Sequence, residues 1–159
     1  LDEASLCDAD IPSLAHFVSV KRRMEIIGTA RGITVYDDFA HHPTAIQTTL
    51  EGLRAKVDKA RILVAMEPRS NSMRLGAHSL QIAPSLNTAD AVVFLQRPEL
   101  PWDAEAVLSA LKGEGRKVAT VDALIETLRT SARDGDHIVF MSNGGFEDAP
   151  RRCLAALQQ

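Results

Sequence analysis

The sequence predicts an α/β domain with a doubly wound, mostly parallel six-stranded sheet, helices on both faces and one antiparallel edge strand. Three observations predict it. The runs "ILVAM", "AVVFL" and "HIVFM" are strand-sized and almost wholly apolar, as parallel strands covered on both faces must be. Segments of helical period separate them, so strand and helix alternate along the chain. Ahead of them, two strand-like runs flank Arg31-Gly32, which makes a hairpin and hence one antiparallel strand.

The segment to about Val20 is weakly helical, with Pro12 interrupting it. "MEIIGTA" and "GITVYDD" are the hairpin strands. "PTAIQTTLEGLRAKV" is a helix opened by Pro43, with Ala45, Ile46, Thr49, Leu50, Leu53 and Val57 along one stripe. "ARILVAM" is a buried strand, and "MRLGAHSLQIAPSLNTA" holds a helix that Pro84 breaks or kinks. "DAVVFLQ" is the next strand, "DAEAVLSALKGEG" a helix started by Asp103 and stopped by glycines, and "RKVATV" a strand. "DALIETLRTSARDG" is a capped helix, "DHIVFMSNGG" the last strand, and the tail is helical from about Pro150. Right-handed crossovers wind such a chain doubly and place ligands beyond the carboxyl ends of the strands.

The bulk numbers narrow the function. At 159 residues, 45% apolar and 25% charged, the chain makes one globular unit. Its formal charge of −3 gives no nucleic-acid footprint. Cys7 and Cys153 follow no metal or disulfide pattern, no run spans a bilayer and the start is no signal peptide. Those features suit a cytoplasmic protein, and a first residue that is Leu suggests a fragment of a longer chain.

Three strand ends carry unusual chemistry, and right-handed winding puts all three on one edge. "DDFAHHPT" admits a ribose-binding carboxylate, an aromatic ring for a base and a histidine ahead of a helix start. It also reads as an Asp turn before a Pro-started helix, or more remotely as a metal pair. In "MEPRSNSM", Arg69 can fork onto a carboxylate or phosphate, and Asn71 and Ser72 can cap a helix or touch a ligand. In "MSNGGF", the glycines permit close backbone approach and Asn143 offers hydrogen bonds, although Gly-Gly also makes a plain turn. "KRRME" at 21–25 is a cationic cluster that is either a solvated edge or a ribose or phosphate contact. No Gly-Lys dipeptide occurs, so there is no Walker loop.

Taken in order, "F-x-x-V-KRR-x-E", "GITVYDDFAHHPT", "EPRSNSM" and "SNGGF" resemble the C-terminal domain of the Mur ligases, ATP-dependent enzymes that add amino acids or peptides to UDP-N-acetylmuramate. "EPRSNSM" with "SNGGF" is similar to the peptide-adding branch. The resemblance implies a Rossmann-like domain at 21–159, with 1–20 left from an inter-domain segment. It implies a ligase that joins a murein tripeptide, L-Ala-γ-D-Glu-meso-diaminopimelate, to UDP-N-acetylmuramate in peptidoglycan recycling, and so serves cell wall, cell shape and division.

By the same resemblance, Arg23 and Asp38 hold the ATP ribose, Phe39 lies beside adenine and His41 near the nucleotide. Arg69, Asn71, Ser72 and Asn143 face the peptide. By that resemblance the phosphate loop belongs to the preceding domains, which mainly hold Mg2+, and no catalytic residue or metal ligand is assigned to this domain. An alanine-adding ligase domain and a non-catalytic nucleotide module on the same fold are the alternatives. Two places depart from the family pattern: Ser19 replaces a glycine before "VKRR", and Glu147-Asp148-Ala149-Pro150 replace a glycine continuation.

Overall fold

The computed structural model describes residues 22–68, 79–98 and 104–159. The expectations for the segment to Val20, for Arg69, Asn71 and Ser72, for the first half of the second helix and for Asp103 lie outside these residues. In chain order the elements are β1 (Glu25–Ala30), β2 (Ile33–Asp38), α1 (Pro43–Val57), β3 (Ile62–Met66) and α2 (Ser79–Ser85). They continue with β4 (Ala91–Leu95), α3 (Ala104–Ala110), β5 (Glu114–Val118), α4 (Val121–Ser131), β6 (His137–Met141) and α5 (Ala149–Leu157).

The six strands form one sheet in the order β1-β2-β6-β3-β4-β5, with β1 antiparallel to β2 and every other pair parallel. The hairpin between β1 and β2 turns at Arg31 and Gly32, with φ of 53° and 73°. Positive φ at both central residues is the turn whose twist matches the strands. The positive φ at Gly32 favours glycine, and a Cβ there would sit 1.7 Å from Asp134 Oδ1, so that side chain would have to rotate away.

Winding direction decides which face each helix covers. From β2 the chain steps to β3, β4 and β5 in one direction, then returns to insert β6 beside β2. With right-handed crossovers a reversal moves the helix to the opposite face. Accordingly, Ile46, Leu50 and Leu53 of α1 pack with Ile82 of α2 and Val107 of α3 against Val64, Phe94 and Val139. On the other face, Leu124 and Leu128 of α4 and Cys153 and Leu157 of α5 cover Leu63, Ala65, Ile138 and Phe140. Alternate residues of β3 and β6 thus feed two cores, the period of two expected of a strand.

Several boundaries differ from the sequence reading. β5 begins at Glu114, two residues early, because Glu114 N–H donates to the Asp90 carbonyl at 3.2 Å and draws the chain into register beside β4. It ends before Thr120, whose Oγ1 accepts from Ala123 N–H at 3.1 Å and caps α4. Gly115 therefore lies within β5 and is no helix stop, and α3 ends at Ala110 ahead of the glycines. Pro84 lies in the last turn of α2, which ends one residue later. On α1, Ile46, Leu50 and Leu53 are buried, whereas Ala45 is exposed and Thr49 half-buried. Among the described residues no helix is long and apolar enough to cross a membrane.

Cys153 is fully enclosed, and burial pushes its thiol up to about 12. A maleimide at neutral pH is expected to leave Cys153 unmodified in the native chain and to modify it in denaturant, as read by peptide mass mapping. Native labelling at Cys153 would contradict the packing of α5.

Candidate functional site

Parallel registration sets the carboxyl edge. Asp38 pairs across to Met141, and Met141 to Met66, so β2, β6 and β3 end level with one another. The ladder continues one step further, with Ser142 N–H donating to the Asp38 carbonyl at 3.3 Å and Glu67 N–H to the Met141 carbonyl at 3.1 Å. The ends of "YDD", "VAM" and "VFM" therefore form one rim, as the winding argument required.

At the β2 end of this rim lies an open cleft of about 410 Å³, lined by Arg23, Asp38, Phe39 and His41. Arg22 and Met24 line it as well, and Ala45 and Thr49 form its α1 wall. This explains why two members of the predicted apolar stripe are not in the core: they face the cleft.

Asp38 is buried, and each of its carboxylate oxygens is engaged by the backbone. Oδ2 accepts from Met24 N–H and Oδ1 from Ala40 N–H, both at 2.8 Å. The carboxylate thus ties the entry of β1 to the turn after β2, and an ionised acceptor makes such bonds strong. Phe39, on that turn, is 47% exposed, a large apolar surface left uncovered at a cleft. The Arg22 guanidinium lies 5.3 Å from its ring centroid, and the His41 ring meets it edge-on at 5.4 Å.

His41 Nδ1 lies 3.0 Å from the Phe39 carbonyl. A carbonyl only accepts, so Nδ1 carries the proton and Nε2 remains the free nitrogen. Arg23 is exposed and has no ion-pair partner among the described residues. Its neighbour Arg22 is committed: Nε pairs with Asp37 Oδ2 at 3.3 Å and Nη2 donates to the Ser142 carbonyl. Burial raises the Asp37 carboxyl above the usual range, with Arg22 opposing that shift.

Further along the rim is a second polar cluster. The Glu67 side chain is fully buried, accepting from Arg97 Nε at 2.9 Å and from Ser142 Oγ at 3.1 Å. Ser142 Oγ in turn accepts from Gly144 N–H at 3.0 Å. Arg97 also pairs with Glu147, which stands on a turn where Phe146, Glu147 and Asp148 all have positive φ. Three successive non-glycine residues in the left-handed region are uncommon, and the last two of them open the segment that departs from the family pattern.

The structure thus gathers Arg23, Asp38, Phe39 and His41 about one cleft. Asn143 does not line that cleft; its Oδ1 is buried, with no hydrogen-bond partner among the described residues. The sequence reading missed Arg22, Glu67 and Arg97. "KRR" signalled the first as a group without separating its members, and Glu67 and Arg97 each follow a buried strand at this same edge.

Fold and site together define a class: a doubly wound α/β domain offering an open aromatic and cationic lip at the carboxyl edge of its sheet. The chain belongs to the Mur ligase family, whose model described as "Mur ligase, glutamate ligase domain" matches residues 22–144. Over 146 residues it is 45% identical to the Escherichia coli K12 UDP-N-acetylmuramate–L-alanyl-γ-D-glutamyl-meso-2,6-diaminoheptandioate ligase, which covers 91% of this chain and 32% of that protein. The chain therefore spans about a third of that relative's length. Among solved structures, a murein peptide ligase from Psychrobacter arcticus is 42% identical with a TM-score of 0.78, over 87% of this chain and 30% of that one. A crystallised domain of a Haemophilus ducreyi protein is 42% identical with a TM-score of 0.73, over 85% of this chain and 99% of that one.

Proposed function

We propose that this chain is the C-terminal nucleotide- and peptide-contacting domain of an ATP-dependent ligase that joins L-Ala-γ-D-Glu-meso-diaminopimelate to UDP-N-acetylmuramate in peptidoglycan recycling in the cytoplasm. The observation that carries the reading is the convergence of Arg23, Asp38, Phe39 and His41 on one cleft, in a chain of this family. Residues 21–159 form the domain and 1–20 lead into it from the preceding part of the enzyme.

Phe39 offers its exposed face to the adenine, and the Arg23 guanidinium, without an ion-pair partner among the described residues, forks onto ribose or phosphate oxygens. Asp38 presents its remaining lone pairs to the ribose hydroxyls, and His41 donates or accepts at Nε2. Arg69, Asn71, Ser72 and Asn143 take the peptide. In the reaction the muramyl lactate carboxylate attacks the γ-phosphorus of ATP, forming an acyl phosphate and releasing ADP. The peptide's alanine amine then attacks the acyl carbon, phosphate leaves with the C–O bonding pair, and the nitrogen gives up a proton to solvent. Mg2+ supplies charge compensation for the phosphates. That ion is assigned mainly to the preceding domains, as the family resemblance implies.

The test uses the full-length enzyme with ATP, UDP-N-acetylmuramate and tripeptide, following ADP and the ligated product. Arg69→Ala is expected to raise the KM for tripeptide roughly tenfold, the loss of one charged contact, with the KM for ATP near wild type. The 159-residue chain alone is expected to turn over no ATP. Robust Mg2+-dependent turnover by that chain would overturn the half-site, and use of L-alanine in place of tripeptide would overturn the substrate. Absence of any ligation by the full-length chain would point to a non-catalytic nucleotide module.

A further inference from the structure

We propose that Arg22 is a positioning residue that couples the two lips of the site, bracing the Phe39 ring for base stacking and pinning the Ser142 carbonyl at the end of β6. The proposal rests on the nucleotide reading of the cleft. Phe39 is nearly half exposed, so burial alone does not hold its ring at one angle. The contacts that do are the Arg22 guanidinium at 5.3 Å and the edge of His41 at 5.4 Å.

The same guanidinium spends Nε on Asp37 and Nη2 on the Ser142 carbonyl, the last carbonyl before Asn143 and the two glycines. A planar fork is the group that can make both bonds and still present a flat face to a ring; an ammonium cannot. The backbone is committed as well. Phe39 N–H donates to the Arg22 carbonyl at 2.7 Å, and Arg22 itself holds φ at 64°. That left-handed step sends Arg22 inward against Asp37 and leaves Arg23 exposed on the cleft wall. Two adjacent arginines thereby divide the labour: Arg23 is free for ligand, and Arg22 sets the lip.

Arg22→Lys, Phe39→Ala and the double variant in the full-length ligase test this, with native folding checked by circular dichroism. Lysine keeps the charge beside Asp37 and loses the fork. Phe39→Ala is expected to raise the KM for ATP roughly tenfold and leave the KM for tripeptide unchanged. Arg22→Lys is expected to raise the KM for ATP about threefold to fivefold and the KM for tripeptide as well, with kcat within about twofold. In the Phe39→Ala background the ATP effect of Arg22→Lys should disappear while its tripeptide effect persists, because residues on one path are not additive. An Arg22→Lys effect on ATP that survives undiminished in that background overturns the bracing role, and an unchanged tripeptide KM overturns the coupling. No effect of Phe39→Ala on ATP would instead remove the nucleotide reading beneath the proposal.

Discussion

Asp38→Asn is expected to raise the KM for ATP of the proposed full-length ligase by roughly tenfold or more, while the KM for tripeptide stays within about twofold. The two Asp38 oxygens accept from Met24 N–H and Ala40 N–H. An amide has one accepting oxygen, so its NH2 would confront one of those donors, stranding an N–H at a cost of about 1–3 kcal/mol. The lip between β1 and the Phe39 turn then loosens, and the ionised acceptor proposed for a ribose hydroxyl is lost. Steady-state kinetics with ATP and 2′-deoxy-ATP separate these contributions. If Asp38 contacts the ribose, removal of the 2′-hydroxyl should weaken use by the wild type more than by Asp38→Asn. Unchanged KM values for both ATP and tripeptide would show that Asp38 does not serve the nucleotide.

Glu67→Ala should produce the largest loss of stability, about 3 kcal/mol, because it strips a buried carboxylate from its partners. The Glu67 side chain has no solvent exposure, and Arg97 and Ser142 both donate to it. Arg97 is 26% exposed and keeps Glu147, which holds the loss near the lower end for breaking a buried pair. For a chain of this size the midpoint of thermal unfolding should fall by roughly 8–10 °C. Glu67→Gln, whose single accepting oxygen can keep Arg97 while its NH2 turns to donate to Ser142 Oγ, should fall by less than half as much. The measurement is a thermal melt of the 159-residue chain, and a Glu67→Ala midpoint within 2 °C of wild type would show that the cluster contributes nothing. Because Gly144 N–H hangs from Ser142 Oγ, hydrogen exchange at Gly144 should also rise in Glu67→Ala.

Asp38, Phe39 and His41 lie within four positions of one another, and chain connectivity alone keeps them close. Their membership of one cleft was legible for that reason. The parallel sheet was legible because "ILVAM", "AVVFL" and "HIVFM" have no polar face to turn toward water, and the hairpin because Arg31-Gly32 interrupts two strand patterns. Less legible was the border between β5 and α4, where Thr120 suits a strand by propensity but caps a helix in fact. Propensity is a weak prior there, and the pairing of Glu114 with Ala91 decided the register. The α1 stripe was also read too broadly. Periodicity gives the apolar side of a helix but not where its partner sheet ends, so Ala45 and Thr49 proved to face the cleft.

The sequence by itself determined the layers, the winding and the edge at which ligand chemistry gathers, since these follow from local periodicity and the handedness of L-residues. Only the tertiary structure decided which side chains are free and which are committed. Adjacent arginines of identical chemistry diverge because Arg22, at φ 64°, falls within reach of Asp37 and Ser142, the latter 120 positions away. Glu67, Arg97 and Glu147 meet across 80 positions for the same reason. Such contacts depend on backbone angles that the packed sheet imposes, and no pattern in a linear chain records them.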